Sequence, residues 1–253
     1  MFISHIPNRF FYSAGKIATQ TLCSIPLSVQ ITPTEDTRNL RATAIREIKR
    51  LMVKSADPVT IVIRDPVKRF NSGLYEIIVK QVYGMFVLSQ ATHGSSVSTV
   101  EETINLFYSK EFWEFSLDKT LRLRPNTWNP LRELDSQRWQ YHVGNWLDDV
   151  KEVTSTAKEL GRNCDIVDVN NLNDYLNSLS IEFKHVNKGD NLLWRLGSIA
   201  GFEGVYSRID HKCIQSAFNA ALDSVDAAIA DQFNNYLKPE IELYKQLQET
   251  ACS

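Results

Sequence analysis

The chain has 253 residues, 43% of them apolar and 23% charged, with a formal net charge of -2; that length is enough for one large domain with a full core, or two small ones. This balance gives no global pull toward nucleic acid or an anionic membrane, and no RNA- or DNA-binding motif occurs, so neither is expected as a partner and any anion site must be local. No apolar run spans a bilayer, Met1 to Phe11 lacks the apolar core of a signal peptide, and Cys23, Cys164, Cys213 and Cys252 form neither a CxxC pair nor a zinc spacing. The expectation is therefore a cytoplasmic protein with reduced thiols and no metal site.

In chain order, Arg9-Phe10-Phe11-Tyr12 predicts a short first strand. Ser13-Ala14-Gly15-Lys16-Ile17-Ala18-Thr19-Gln20-Thr21-Leu22 predicts a tight loop opening a helix. Gly15 allows close backbone approach, and the free N–H groups of a helix start, Lys16 and the hydroxyls of Thr19 and Thr21 make a phosphate cradle. Strand, Gly-Lys and threonines also describe an ordinary strand-to-helix turn with a solvated lysine. Leu27 to Ile31 predicts a second strand, and Thr34 to Lys54 a basic amphipathic helix with Leu40, Ala44, Ile48, Leu51 and Met52 inward.

The most informative stretch is Ile61-Val62-Ile63-Arg64-Asp65-Pro66-Val67-Lys68-Arg69-Phe70-Asn71-Ser72-Gly73-Leu74-Tyr75. Val59 to Ile63 is a β-branched run typical of a parallel strand covered on both faces. Asp65 can cap the helix that follows, and Pro66 suits its first position, where no N–H is needed. Val67, Phe70, Leu74, Ile77 and Ile78 form the inward stripe of that helix, which is expected to run to about Leu88. Arg64 stands at the strand's carboxyl end and Ser72 about two turns into the helix, off the apolar stripe. Both are placed to converge on one anion at the edge where open α/β sheets bind ligands.

Ala91 to Ser98 is a polar loop, and Thr99 to Tyr108 and Glu111 to Leu117 predict helices. Lys119 to Trp139 is expected to be irregular, rich in cations and tryptophan, suiting either an anionic or sugar-like substrate or a plain surface of cations over partly buried indoles. Helices over Leu147–Leu160 and Asn171–Leu179 flank a buried strand over Cys164–Val169, and His185 to Asp190 is a polar loop. Ile214, Phe218, Ala221, Leu222, Val225, Ile229, Phe233 and Tyr236 keep one helical stripe, which Pro239 is expected to interrupt before a last helix over Glu240–Gln248. Strands alternating with helices predict an α/β fold with a parallel sheet and helices on both faces.

Together these segments resemble the sulfotransferases that use 3′-phosphoadenosine-5′-phosphosulfate (PAPS), and most nearly the branch containing carbohydrate O-sulfotransferases. Gly15-Lys16-Ile17-Ala18-Thr19-Gln20-Thr21-Leu22 is similar to the family's 5′-phosphosulfate loop, with Gly15 where members often have proline. Arg64 through Tyr75 resembles the 3′-phosphate element, and His185-Val186-Asn187-Lys188-Gly189 a late loop that closes over the cofactor. The ending Tyr236 to Leu247 resembles the usual family C-terminus, while the middle of the chain matches nothing in the family's pattern.

The resemblance implies a single P-loop domain over 1–253: a three-layer fold with a central parallel sheet flanked by helices and a helical C-terminal region. It implies that Lys16 touches the bridging oxygen and sulfonate, that Thr19 and Thr21 bond the 5′-phosphate, and that Arg64 and Ser72 hold the 3′-phosphate. Gly15, Ala18, Gln20, Lys188 and Gly189 complete the implied contacts to PAPS and to its desulfated product, 3′,5′-adenosine bisphosphate (PAP). An acceptor hydroxyl, on a carbohydrate or small molecule, also needs a base. His142 is the first candidate, with His185, His93, His5, His211, Glu35 and Glu76 as alternatives. A P-loop kinase is the competing enzyme class, but Lys16 is followed by Ile17 and Phe10 stands where its first glycine is needed. A non-catalytic nucleotide-binding protein on the same fold is the third reading.

Overall fold

The computed structural model describes residues 2–6, 8–13, 21–22, 24–25, 29–30, 40–93, 102, 104–122, 146–183 and 210–251. Its elements are β1 (Phe2–Ile6), β2 (Arg9–Ser13), β3 (Val29–Gln30), α1 (Leu40–Lys54), β4 (Val59–Ile63), α2 (Pro66–His93), α3 (Lys110–Arg122), α4 (Leu147–Glu159), β5 (Cys164–Asp168), α5 (Leu172–Ser178), α6 (His211–Asp223) and α7 (Ala227–Ala251). They fall into two compact units. One comprises Met1–Gly73, Pro130–Val186 and Tyr236–Ser253, the other Leu74–Asn129 and Asn187–Asn235.

The architecture is broadly α/β. The first unit holds a sheet of order β3-β1-β2-β4-β5, in which β2, β4 and β5 run parallel with Tyr12, Ile61 and Ile166 in one row. The all-parallel expectation is corrected by β1, a strand not anticipated, and by β3. Both pairings of β1 are antiparallel. The reason is chain length: two residues separate Ile6 from Arg9, far too few for a parallel crossover. Asn8, at φ 70°, takes the left-handed conformation that such a tight reversal requires.

Side-chain alternation sends Phe10, Tyr12, Val59, Ile61 and Ile63 into the core, together with Phe11 and Val62 of the opposite face. On the Tyr12 face, α4 packs and its Asp149 Oδ2 accepts the Tyr12 hydroxyl at 3.0 Å. On the other face, α5 brings Tyr175. Its hydroxyl lies 2.6 Å from Asp165 Oδ2 and 2.8 Å from Thr60 Oγ1, and Arg9 Nη1 donates to all three groups at 2.6–2.9 Å. Helices therefore cover both faces of the parallel strands. In the second unit, Trp113 stacks on Tyr75 at 5.2 Å and meets the edge of Phe218 at 5.1 Å.

Several boundaries differ from expectation. α2 continues to His93, so Ala91–His93 is helical; no glycine or proline stands between Leu88 and Gly94. Val67 shares the stripe of Phe70, Leu74, Ile77 and Ile78, which are buried, but at the first turn of α2 it is 40% exposed. Lys119–Arg122 belongs to α3, because Trp113, Leu117, Thr120 and Leu121 keep one buried stripe through it. Pro239 lies inside α7 rather than between two helices. A mid-helix proline costs about 3 kcal/mol, and burial of Leu237, Glu240 and Leu247 on the same helix holds the backbone helical. Among the described residues no helix is long and apolar enough to cross a membrane.

The start of α2 follows the sequence reading closely. Asp65 Oδ1 accepts the Lys68 N–H at 2.9 Å, and the Asp65 carbonyl accepts the Arg69 N–H at 2.9 Å. Asp65→Ala should lower stability by about 0.5–2 kcal/mol. Urea denaturation checks this, and an unchanged midpoint would show that the cap contributes nothing.

Candidate functional site

Parallel strands that start together also end together. β2 closes at Ser13, β4 at Ile63 and β5 at Asp168, and the ladder pairs Ser13 with Val62 and Ile63 with Asp168. The Val169 N–H donates to the Ile63 carbonyl at 2.8 Å. Arg64 is thus the first residue beyond the edge, one step past the Ile63–Asp168 pair. Arg64 and Asp65 are the whole link from β4 to α2, which ties the arginine to the start of a long helix and limits its backbone freedom.

Arg64 is partly buried. Loss of solvent pushes its guanidinium down from the usual range; Asp65 and Asp168 oppose that shift and Arg69 adds to it. An arginine stays charged under any such perturbation. The edge therefore carries a fixed, partly desolvated cation, a setting in which an anionic ligand is attracted more strongly than in water. Ser72 lies two turns along α2 and is also half-buried.

The carboxylates at this edge are engaged. Asp168, 8% exposed, accepts the Tyr244 hydroxyl on Oδ2 at 2.5 Å and the Asn170 N–H on Oδ1 at 2.8 Å. Gln248 Nε2 donates to the Tyr244 oxygen at 2.8 Å. Burial and the bond to Asp168 hold the Tyr244 phenol well above its ordinary range, so it keeps the proton it donates. One turn from Ser72, Arg69 Nη2 donates to both oxygens of Glu240 at 2.8 and 3.1 Å, with both side chains 1% exposed. Burial pushes the Glu240 carboxyl up, while the Arg69 charge and Trp146 pull it back.

Of the residues expected to act, the structure describes Arg64, Ser72 and Thr21. Thr21 is helical and 9% exposed, and its carbonyl accepts from the N–H and hydroxyl of Ser24 at 3.1 and 2.7 Å. Gly15, Lys16, Ala18, Thr19, Gln20, His142, His185, Lys188 and Gly189 lie outside the described residues, as do Glu35 and most of the tryptophan-rich stretch after Arg122. By connectivity, residues 14–20 follow the last residue of β2, the neighbour of β4. Glu76 is buried in the second unit and His211 begins α6 there. Among the described residues no group of three or more His, Cys, Asp or Glu can hold a metal ion.

Arg69, Glu240, Tyr244 and Gln248 were not expected to matter. A signal was available for Glu240, which stands three residues after Leu237 and seven before Leu247, whereas Arg69 shares the face of Ser72, off the apolar stripe of α2. A charge on an apolar stripe suggests a buried partner. No family model matches this chain, and no curated protein or solved structure matches it either.

Proposed function

We propose that this chain is a PAPS-dependent sulfotransferase, moving a sulfuryl group to an acceptor hydroxyl on a carbohydrate or small molecule in the cytoplasm, on a P-loop three-layer domain. The observation that carries this reading is the Arg64-Asp65-Pro66 turn: a partly buried cation at the carboxyl end of a parallel strand flanked on both sides by other strands, leading into a capped helix that bears Ser72. A phosphate monoester suits that cation, because a guanidinium fork bonds its oxygens in pairs. The residues at this edge fit the 3′-phosphate of the donor.

The donor supplies an activated sulfuryl group whose leaving group is a phosphate. The chain's own residues bind and orient around it. Arg64 and Ser72 hold the 3′-phosphate, and Thr19 and Thr21 donate to the 5′-phosphate. Lys16 offsets charge developing on the leaving oxygen. His142, as the neutral imidazole, takes the proton that the acceptor oxygen loses. Lys188 and Gly189 belong to the loop assigned to cover the donor.

Calorimetric titration with PAP, beside ATP with Mg²⁺, tests this. Wild type should bind PAP and bind ATP weakly. Arg64→Ala should weaken PAP by about 10–100-fold, the worth of one charge-assisted hydrogen bond, and Lys16→Ala should weaken it too. Binding of ATP with Mg²⁺ alone would overturn the reading in favour of phosphoryl transfer. For the kinase alternative, Asp168 is the strand-end carboxylate a metal would need, and both of its oxygens are already bonded.

A further inference from the structure

Glu240, Tyr244 and Gln248 recur every four residues and so lie on one face of α7. That face makes polar contacts with two separate elements. Glu240 takes both hydrogen bonds from Arg69 of α2 at 2.8 and 3.1 Å. Tyr244, one turn on, donates to Asp168 at the end of β5 at 2.5 Å and is itself held by Gln248. The residues of the candidate phosphate site adjoin these two anchors in the chain. Arg64 directly follows Ile63, the residue that pairs with Asp168 across the β4–β5 ladder. Arg69 is five residues beyond Arg64 and three before Ser72, on the same helix.

We propose that the Glu240–Tyr244 face of α7 is a positioning clamp for the 3′-phosphate element, holding the first two turns of α2 against the end of β5 so that Arg64 and Ser72 keep one fixed separation. This rests on the sulfotransferase reading above. The residues are positioning residues, since each acts through Arg69 or Asp168. The two contacts are directional in a way that apolar packing is not. A two-bond guanidinium–carboxylate pair fixes both distance and rotation, and a phenol–carboxylate hydrogen bond adds a second directional contact. A buried pair is weak as a source of stability compared with apolar residues of similar size, but it specifies one arrangement. Anion recognition by two groups on different elements depends on that arrangement, because misplacement by about 1 Å can cost as much as 10²-fold.

The test uses the full chain and two ligands, PAP and 5′-AMP, which lacks the 3′-phosphate. Two variants are titrated: Tyr244→Phe, which removes one hydroxyl, and the charge-neutral double variant Arg69→Met with Glu240→Leu. Each should weaken PAP about tenfold while leaving 5′-AMP affinity unchanged. The AMP control also reports that the fold is intact. If the double variant does not fold, Tyr244→Phe carries the test alone. An unchanged ratio of PAP to AMP affinity in folded variants would overturn the clamp and leave the contacts purely structural. Failure of wild type to bind PAP would instead overturn the sulfotransferase reading, and the clamp with it.

Discussion

Arg69→Met, with Glu240 left in place, will lower stability by about 3–5 kcal/mol. The lost attraction is only part of the cause. Glu240 is 1% exposed, and without the guanidinium it must stay buried as an unpaired charge or take up a proton. Replacing both partners, Arg69→Met with Glu240→Leu, should recover most of the loss, because the desolvation cost vanishes along with the attraction. The comparison is a double-mutant cycle read by urea denaturation. It fails if the single and double variants are equally unstable. The single variant also carries a pH signature. Burial already holds Glu240 above its ordinary 4.5 in the folded chain, and removing Arg69 removes the main charge opposing that shift. A carboxyl raised in the folded state binds its proton more tightly there than when unfolded. The deficit of Arg69→Met relative to wild type should therefore shrink below pH 4.5 and return as pH rises through the folded value. A deficit independent of pH would mean that Glu240 never bears the uncompensated charge.

His142→Ala will lower turnover by about 10²–10⁴-fold, the usual worth of general base catalysis, and leave PAP affinity unchanged. In the proposed sulfuryl transfer the acceptor proton leaves as its oxygen attacks sulfur, and an alanine gives it nowhere to go except solvent. In wild type the rate should fall as the medium becomes acid enough to protonate the imidazole; the variant should lose that limb of the profile. Equal turnover in the two proteins would remove His142 from the mechanism and move the search to the other candidate bases. A fall in turnover matched by an equal fall in PAP affinity would make it a binding residue.

What could be read from residue order was local. The β-branched run Val59–Ile63, the Asp65 cap and the helix from Pro66 were legible because each rests on nearest neighbours: strand propensity, one carboxylate reaching an N–H three residues on, and a proline at a position that needs no donor. β5 and α5 were legible for the same reason. β1 was not, because Phe2–Ile6 carries no marked alternation and forms a strand only by pairing with β2 and β3. Pro239 was misread for a parallel reason: the local rule ends the helix there, and burial of Leu237 and Glu240 on either side overrides it. At the candidate site, the position of Arg64 just past the end of β4 could be read from the strand alone. The bond from Tyr244 to Asp168 spans 76 residues and that from Arg69 to Glu240 spans 171, and no pattern of neighbours announces pairs so far apart.

The first unit is assembled from three separated pieces of chain, the last beginning at Tyr236. During synthesis this has a cost in time. Arg69 leaves the ribosome 171 residues before Glu240, and at about 5–20 residues per second the nascent chain carries that guanidinium without its native carboxylate for roughly 10–30 s. Over that interval β2 and β4 can pair, but the hydrophobic surface that α7 will cover stays open to water and to other chains. Messages truncated before codon 240 should therefore yield a product that chaperones retain, even though every strand of the sheet is already encoded.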